Sequence, residues 1–325
     1  MTTKPLAIVI PAYKSRFFAE TLASIAAQDS SDFRLIVGDD ASPEDLRSPC
    51  RAIEGRVELH YHRFEQNLGR ADLVAHWARC VALSDEPWVW LFSDDDRLPP
   101  DAVSRLLRAA RAEPDCELWH FNVERIDAEG RVLRSEPPFP PRLSARSFAR
   151  GRLASELSSF APDYVFARRA YERIGGFVNF PRAWCADDAS WIALAAQGGI
   201  RTLPGAPVQW RESDINISAS HGADAAEKWQ AQLLFLRWLH DFLQRHSAAA
   251  GEPADDAVFA GARAWLMDQA YRLRLPLLAR RAAATARALA GLPGIGGAGL
   301  WAAMLRADLR LLARRLRSAR KSGKA

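Results

Sequence analysis

The sequence predicts an α/β fold: a mostly parallel sheet with helices on both faces, followed by a helical extension. Three observations predict it. Short apolar runs alternate with stretches of helical period through the first part of the chain. Several of those runs stop abruptly in small residues or acids. From Asp224 onward only the helical period remains.

In order, Leu6-Ala7-Ile8-Val9-Ile10 reads as a strand that stops at Pro11-Ala12-Tyr13. Ser15 is placed to cap a helix through Gln28, with Phe18, Leu22, Ile25 and Ala26 on one face. Phe33 to Val37 is the second strand and runs into Gly38-Asp39-Asp40-Ala41-Ser42. Val57 to His62 alternates as a third, Asn67-Leu68-Gly69-Arg70 is a turn, and Ala71 to Leu83 is a helix. Right-handed crossovers then bring the ends after Ile10, Val37 and Phe92 to one edge of the sheet.

The fourth strand is the chemical centre. Trp88-Val89-Trp90-Leu91-Phe92 ends in Ser93-Asp94-Asp95-Asp96. Three adjacent carboxylates repel one another, and burying one without a partner is costly. A hard divalent cation with oxygen ligands, often shared with substrate phosphates, resolves that conflict. The carboxyl edge of an open α/β sheet is also where ligands bind. The plain alternative is a solvated acidic turn that caps the helix beginning near Pro99.

A helix from Pro100 to Ala112 follows. Leu118 to Ile126 and Arg131 to Leu133 flank a hairpin turn at Asp127-Ala128-Glu129-Gly130. Pro137 to Pro141 is a stiff loop, Ser144 to Leu157 a helix, Tyr164 to Ala167 a strand, and Arg169 to Ile174 a helix closed by Gly175-Gly176. Asp187-Asp188 opens another helix, where acids suit the dipole and an ordinary N-cap pair explains them equally well. A short strand at Ile200 to Leu203 precedes a polar, irregular stretch from Trp210 to Ser218. Helices are expected from Asp224, from Pro253 to Leu275, and from Leu300 to Arg320.

Composition bounds the rest. Apolar content of 49% and charged content of 26% are globular values and exclude wholesale disorder. Cys50, Cys80, Cys116 and Cys185 form neither a zinc pattern nor a disulfide framework, which fits reduced thiols in a cytoplasmic protein. No secretion signal and no membrane span are expected, since Gly and Pro interrupt the long uncharged stretch from Ala288 to Leu305. The net charge of +5 gathers at the end, where Arg306, Arg310, Arg314, Arg315, Arg317, Arg320, Lys321 and Lys324 face Asp308 alone. His60, His62, His76 and His120 sit in strand or helix patterns and are read as structural. Trp184 and Trp191 suit either stacking on a ligand or core packing. Arg70 suits a base or phosphate contact or an exposed helix start, and His221 is equally open.

Taken together, Ile8-Val9-Ile10-Pro11-Ala12-Tyr13, the Leu22/Ser24/Ile25/Gln28 helix, Val37-Gly38-Asp39-Asp40-Ala41-Ser42, Asn67-Leu68-Gly69, Ser93-Asp94-Asp95-Asp96 with Pro100, and Asp187-Asp188 before Trp191 resemble the family 2 glycosyltransferases of GT-A fold. The resemblance implies a metal-dependent, inverting hexosyltransferase-type enzyme. It would use a nucleotide-sugar, with a UDP-sugar expected, and act in polysaccharide or glycan assembly. It implies that Pro11, Ala12 and Tyr13 line the nucleotide pocket and that Asp39 or Asp40 holds the uracil or ribose. Asn67 and Arg70 would join that nucleotide-sugar site. Asp94 to Asp96 correspond to the DXD motif, with Asp94 and Asp95 toward the nucleotide-sugar and Asp94 and Asp96 toward Mn²⁺ or Mg²⁺. Asp187-Asp188 correspond to the family's Glu-Asp pair, with Asp188 as general base, and Arg211 to a basic residue near the diphosphate.

These readings divide the chain into a catalytic domain over 1–222, a helical extension over 223–290, and a Gly-rich hinge with a basic amphipathic tail helix over 291–325. Trp301, Leu305, Leu309, Leu312 and Leu316 share a face of that tail among arginines. The pattern suits docking on the cytoplasmic face of an anionic inner membrane, near a glycan or lipid-linked acceptor. Packing on the catalytic domain is its alternative. No base-reading module is present, so no nucleic-acid partner is expected. Two rival functions remain: a nucleotidyltransferase, which would need a Gly-rich basic loop where Pro11 to Ser15 stands, and a non-catalytic nucleotide- or sugar-binding module on the same fold.

Overall fold

The computed structural model describes residues 4–216, 224–278 and 281–322. His221, Ile217, Ser218 and Lys324 lie outside them, as do the side chains of Arg315, Arg320 and Lys321. The first elements are β1 (Leu6–Ala12), α1 (Phe18–Ala26), β2 (Phe33–Asp39), α2 (Arg47–Arg51), β3 (Glu58–Arg63), α3 (Leu73–Val81), β4 (Trp88–Leu91) and α4 (Ala102–Ala112). Next come β5 (Leu118–Ile126), β6 (Val132–Ser135), β7 (Arg142–Leu143), α5 (Ala145–Leu153), β8 (Tyr164–Ala167), α6 (Arg168–Arg173), α7 (Ala186–Leu194) and β9 (Ile200–Arg211). The chain then turns helical with α8 (Ala225–Arg245), α9 (Asp255–Phe259), α10 (Ala262–Arg272), α11 (Ala282–Ala288) and α12 (Ala298–Ser322).

The chain clusters into two compact units. One comprises Met1–Ala145, Ser158–Asn179 and Ala186–Asn216; the other comprises Arg146–Leu157, Phe180–Cys185 and Ile217–Ala325. The first holds a mixed sheet in the order β3-β2-β1-β4-β8-β5-β9-β7, with β6 paired to β5. β1 to β4 are parallel, as the alternating rhythm predicts, and β1 lies between β2 and β4 with Leu6 opposite Phe33 and Trp88. Leu6 to Ile10 have no exposed surface, which is why this strand is apolar throughout rather than alternating. Ile8, Ile10, Leu35 and Trp90 share one core with Phe18, Leu22 and Ile25 of α1 and Val103 and Leu106 of α4.

Several boundaries differ from the sequence reading, each for a local reason. α1 begins at Phe18 because Ser15 is not a helix cap: its N–H donates to the Glu44 carboxylate at 2.6 Å. α2 and β7 escape notice because α2 contains Pro49 and β7 is two residues long. β9 does not stop at Leu203. It continues along β5 to pair Ile126 with Arg211, past a register shift at Pro204-Gly205-Ala206-Pro207. There the Arg105 guanidinium donates to the Pro204 and Ala206 carbonyls at 2.9 and 2.7 Å, supplying bonds that a strand partner would otherwise give. In the helical unit, the single helix expected from Pro253 to Leu275 divides into α9 and α10 at Gly261. A Cβ there would come 2.6 Å from the Leu153 carbonyl oxygen.

α12 packs inside the helical unit. Leu300, Ala303, Met304, Ala307 and Leu311 are buried, and the Asp308 carboxylate accepts the Leu277 and Leu278 N–H groups at 2.8 and 3.0 Å. Among the described residues no helix is long and apolar enough to cross a membrane.

Candidate active site

The carboxyl ends of β1, β2 and β4 meet as topology requires. Beyond β1, the Tyr13 and Lys14 N–H groups both donate to Asp94 Oδ2, at 2.9 and 2.8 Å. The Tyr13 carbonyl accepts the Ser42 hydroxyl at 2.6 Å, which joins the β1 end to the β2 end. Pro11 and Ala12 pair with Gly38 and Asp39 in the sheet itself. The Tyr13 ring is exposed above this edge.

Asp39 and Asp40 are buried, and both carboxylates are engaged by protein donors. Asp39 accepts the Ser42 N–H at 2.8 Å, the Tyr61 hydroxyl, and Arg63 at 2.6 Å. Asp40 accepts the Leu68 and Gly69 N–H groups, each at 2.8 Å, and the Arg79 guanidinium. In this state Asp40 therefore clamps the loop that carries Asn67 and Arg70, where Asn67 Oδ1 accepts the Arg70 N–H at 2.9 Å. His76 lies against Asp40; burial pushes its imidazole down to about 4, against the upward pull of that carboxylate.

The triple aspartate is arranged differently. Asp94 spends one oxygen on the β1 loop and turns Oδ1 to the Lys14 ammonium at 3.3 Å. Asp95 Oδ2 holds the same ammonium at 2.6 Å. Asp96 Oδ1 accepts the Arg211 N–H at 2.7 Å, while its Oδ2 is buried with no hydrogen-bond partner among the described residues. Burial and then the Asp95 charge push the Asp96 carboxyl well above the usual range, against the pull of the Arg211 N–H. Burial and Asp94 raise Asp95 as well, opposed by Lys14. For Lys14, burial works to lower the ammonium, but Asp94 and Asp95 outweigh it and hold it above the ordinary lysine value.

The donor set suits a hard divalent cation in kind: carboxylate oxygens only, with an unpartnered oxygen on Asp96 and one on Asp94 that faces a cation. It is not a complete cage. Among the described residues no group of three or more His, Cys, Asp or Glu side chains could hold a metal. An ion here would take its remaining ligands from water and from a substrate, as Mg²⁺ commonly does with phosphates.

Arg211 is placed otherwise than the resemblance implies. β9 runs on to this residue and turns its side chain into the interior, where it has no exposed surface. Its guanidinium donates to the carbonyls of Asp95, Asp127 and Ala128 at 2.9, 3.0 and 3.0 Å and to Glu20 at 2.8 Å, over the Phe17 ring. Arg211 pins the Asp95-Asp96 loop from beneath. Asp187 and Asp188 lie in the first turn of α7, and Asp188 is 6% exposed. The residues just before are strained, with Arg182, Ala183 and Cys185 at φ of 61°, 55° and 64°. Trp191 is fully buried and stacked on Tyr164 at 4.7 Å, so it belongs to the core. In the helical unit the Lys228 ammonium lies 4.5 Å from the Trp184 ring centroid.

A family model described as glycosyl transferase family 2 matches residues 7–173. The chain belongs to that family. Among curated proteins none matches it by sequence. Solved structures do. The family 2 chain aligns with S. aureus TarS 1-349 in complex with UDP-GlcNAc at 14% identity and a TM-score of 0.59, over 82% of this chain and 72% of that one. It aligns with the mannosyltransferase PcManGT from Pyrobaculum calidifontis, in complex with GDP-Man and Mn²⁺, at 17% identity and a TM-score of 0.51, over 95% and 81%. At these identities the likeness establishes the fold, which is the α/β GT-A architecture expected from the sequence.

The sequence reading missed Lys14, Glu20 and Arg79 as members of this family 2 site. Lys14 stands directly after the strand-end motif and was legible as a lone cation beside three acids. Glu20 and Arg79 carry no such signal, because each looks like an ordinary charged residue of an amphipathic helix.

Proposed function

We propose that this chain transfers a sugar from a nucleoside diphosphate sugar to an acceptor hydroxyl in a single displacement with inversion. The observation that carries the reading is the Tyr13–Asp94 junction, which ties the β1 loop to the aspartate turn at the carboxyl edge of a family 2 sheet. Titratable acids and backbone donors converge there, as ligand sites in open α/β sheets do. The neighbours support the donor class: TarS holds UDP-GlcNAc and PcManGT holds GDP-Man with Mn²⁺. A UDP-sugar is the proposed donor.

Pro11, Ala12 and Tyr13 with Asp39 and Asp40 form the proposed nucleotide wall, and Asn67 and Arg70 its outer loop. Asp94 and Asp95 face the diphosphate, with Asp94 and Asp96 the ligands for Mn²⁺ or Mg²⁺. When bound, the ion neutralises charge on the departing diphosphate. Asp188 takes the acceptor hydroxyl proton while the acceptor oxygen bonds the anomeric carbon and the bond to the diphosphate oxygen breaks with its electron pair. Asp187, beside it, helps to hold the acceptor. Arg211 acts by fixing the Asp95-Asp96 backbone.

Calorimetric titration with UDP, GDP, dTDP and CDP, each with and without Mn²⁺, tests the donor site. Metal-promoted binding of one nucleotide is the expected result. A folded sample that binds none would favour the non-catalytic module. Asp188→Asn is expected to lower transfer by about 10²–10⁴-fold, the usual contribution of a general base, with nucleotide affinity unchanged. Transfer at the wild-type rate would remove Asp188 from that role.

A second reading concerns α12, whose outer face favours attachment to an anionic membrane surface. Trp301, Leu305, Leu309, Leu312 and Leu316 are exposed there at 47–56%, beside the exposed Arg306, Arg310 and Arg317. A second copy of this face would bring arginines together, whereas anionic headgroups would pair them. Liposomes of anionic lipid should retain the wild type and release a Leu305→Ser/Leu309→Ser/Leu312→Ser variant. Equal recovery of both in the unbound fraction would dismiss the membrane, and concentration-dependent dimerisation would assign the face to a second copy.

A further inference from the structure

The Lys14 ammonium occupies the position that the aspartate turn offers to a cation. Its Nζ lies 2.6 Å from Asp95 Oδ2 and 3.3 Å from Asp94 Oδ1, and its side chain is 28% exposed. These two carboxylates are its only partners among the described residues. The contact is not needed to hold the loop. The Tyr13 and Lys14 backbone N–H groups anchor that loop to Asp94 Oδ2, and they remain whatever side chain stands at position 14. Asp96 is anchored separately, by the Arg211 N–H, and keeps an oxygen with no hydrogen-bond partner among the described residues.

An ammonium and a divalent ion of like charge cannot share Asp94 Oδ1, because each would be the other's nearest neighbour in a poorly solvated site. A lysine can leave. Its four-carbon stem is flexible, and its three donors suit phosphate oxygens as well as carboxylates. We infer that Lys14 is an exchangeable counter-ion: it holds Asp94 and Asp95 in the donor-free enzyme and yields Asp94 to the divalent ion when a nucleoside diphosphate offers its phosphate oxygens instead. Metal and donor then bind as a coupled pair, each strengthening the other by the same factor. The inference rests on the donor and metal reading proposed above, and it adds a reason why the free enzyme would take up metal poorly.

The test is Mn²⁺ alone, titrated into wild type, Lys14→Met and Lys14→Arg without nucleotide and followed by calorimetry and by the electron spin resonance signal of free Mn²⁺. Lys14→Met is expected to bind Mn²⁺ at least tenfold more tightly than wild type, while Lys14→Arg, which keeps the charge, stays weak. Adding UDP should raise Mn²⁺ affinity strongly in wild type and at least tenfold less in Lys14→Met. Thermal melting checks that each variant is folded, and Lys14→Gln repeats the comparison if the methionine variant is not. Mn²⁺ affinities of folded Lys14→Met and wild type within twofold of each other would overturn the inference and leave Lys14 a structural ion pair. Failure of wild type to bind any nucleoside diphosphate is a separate result that sinks the donor reading, and the comparison with Mn²⁺ alone still decides the role of Lys14.

Discussion

The two acidic ends of the sheet, Asp39-Asp40 after β2 and Asp94-Asp95-Asp96 after β4, look alike in sequence and are built oppositely. At Asp40 both oxygens take rigid donors, two backbone N–H groups and a guanidinium. At Asp94 and Asp95 the balancing charge is one flexible ammonium, and Asp96 keeps an oxygen with no hydrogen-bond partner among the described residues. A buried carboxylate with fixed donors is held rigidly in place; one with a movable or missing partner leaves room for a further cation.

The comparison can be broken most directly at Asp40. Asp40→Ala leaves Arg79 without its carboxylate and two backbone N–H groups without acceptors, which should cost about 3–5 kcal/mol in chemical denaturation. A loss no greater than that of Asp96→Asn would erase the distinction. Gly69→Ala probes the same clamp by sterics. The new Cβ would stand 2.7 Å from Asp40 Oδ2, the atom that accepts the Gly69 N–H, and overpacking of this kind typically costs about 1–3 kcal/mol.

His120 gives a control for what an orphaned polar group costs away from the site. It is buried between Phe139 and Tyr164, and neither ring nitrogen has a hydrogen-bond partner among the described residues. Burial pushes its imidazole down to about 3. The unfolded chain takes up the proton first, near pH 6.5. The stability that neutral His120 contributes is thus complete above that pH and is lost as pH falls toward 3. At pH 5 His120→Phe should be spared about 2 kcal/mol of this loss relative to pH 8, read from paired denaturation curves. Parallel curves for the two proteins would show that His120 has found a partner. The smallest effect is expected at the metal end. Asp96→Asn should change stability by less than about 1 kcal/mol, because it removes a buried charge with an unpartnered oxygen while it abolishes Mn²⁺-promoted nucleotide binding. A large loss would make Asp96 scaffold after all.

Sequence by itself determined the elements whose signal is local. Apolar runs fixed the four parallel strands, and acids or small residues at their ends placed Tyr13, Asp39, Asp40 and Asp94 on one edge, because crossover handedness leaves no other choice. Gly175, at positive φ directly after the cap residue of α6, closes the helix that its position predicts. Only the tertiary structure decided the pairings across long stretches of chain. Asp95 meets Lys14 from 81 residues away and Asp96 meets Arg211 from 115 away. Arg211 became a pin because β9 was carried through two prolines by Arg105, a side chain from α4. Trp191 joined the core because Tyr164 stacks on it. Periodicity and turn chemistry act over a few residues and can be read along the chain. The partner of a charge is chosen by which elements the fold brings within hydrogen-bond reach, and that choice is made only when the whole sheet has closed on its helices.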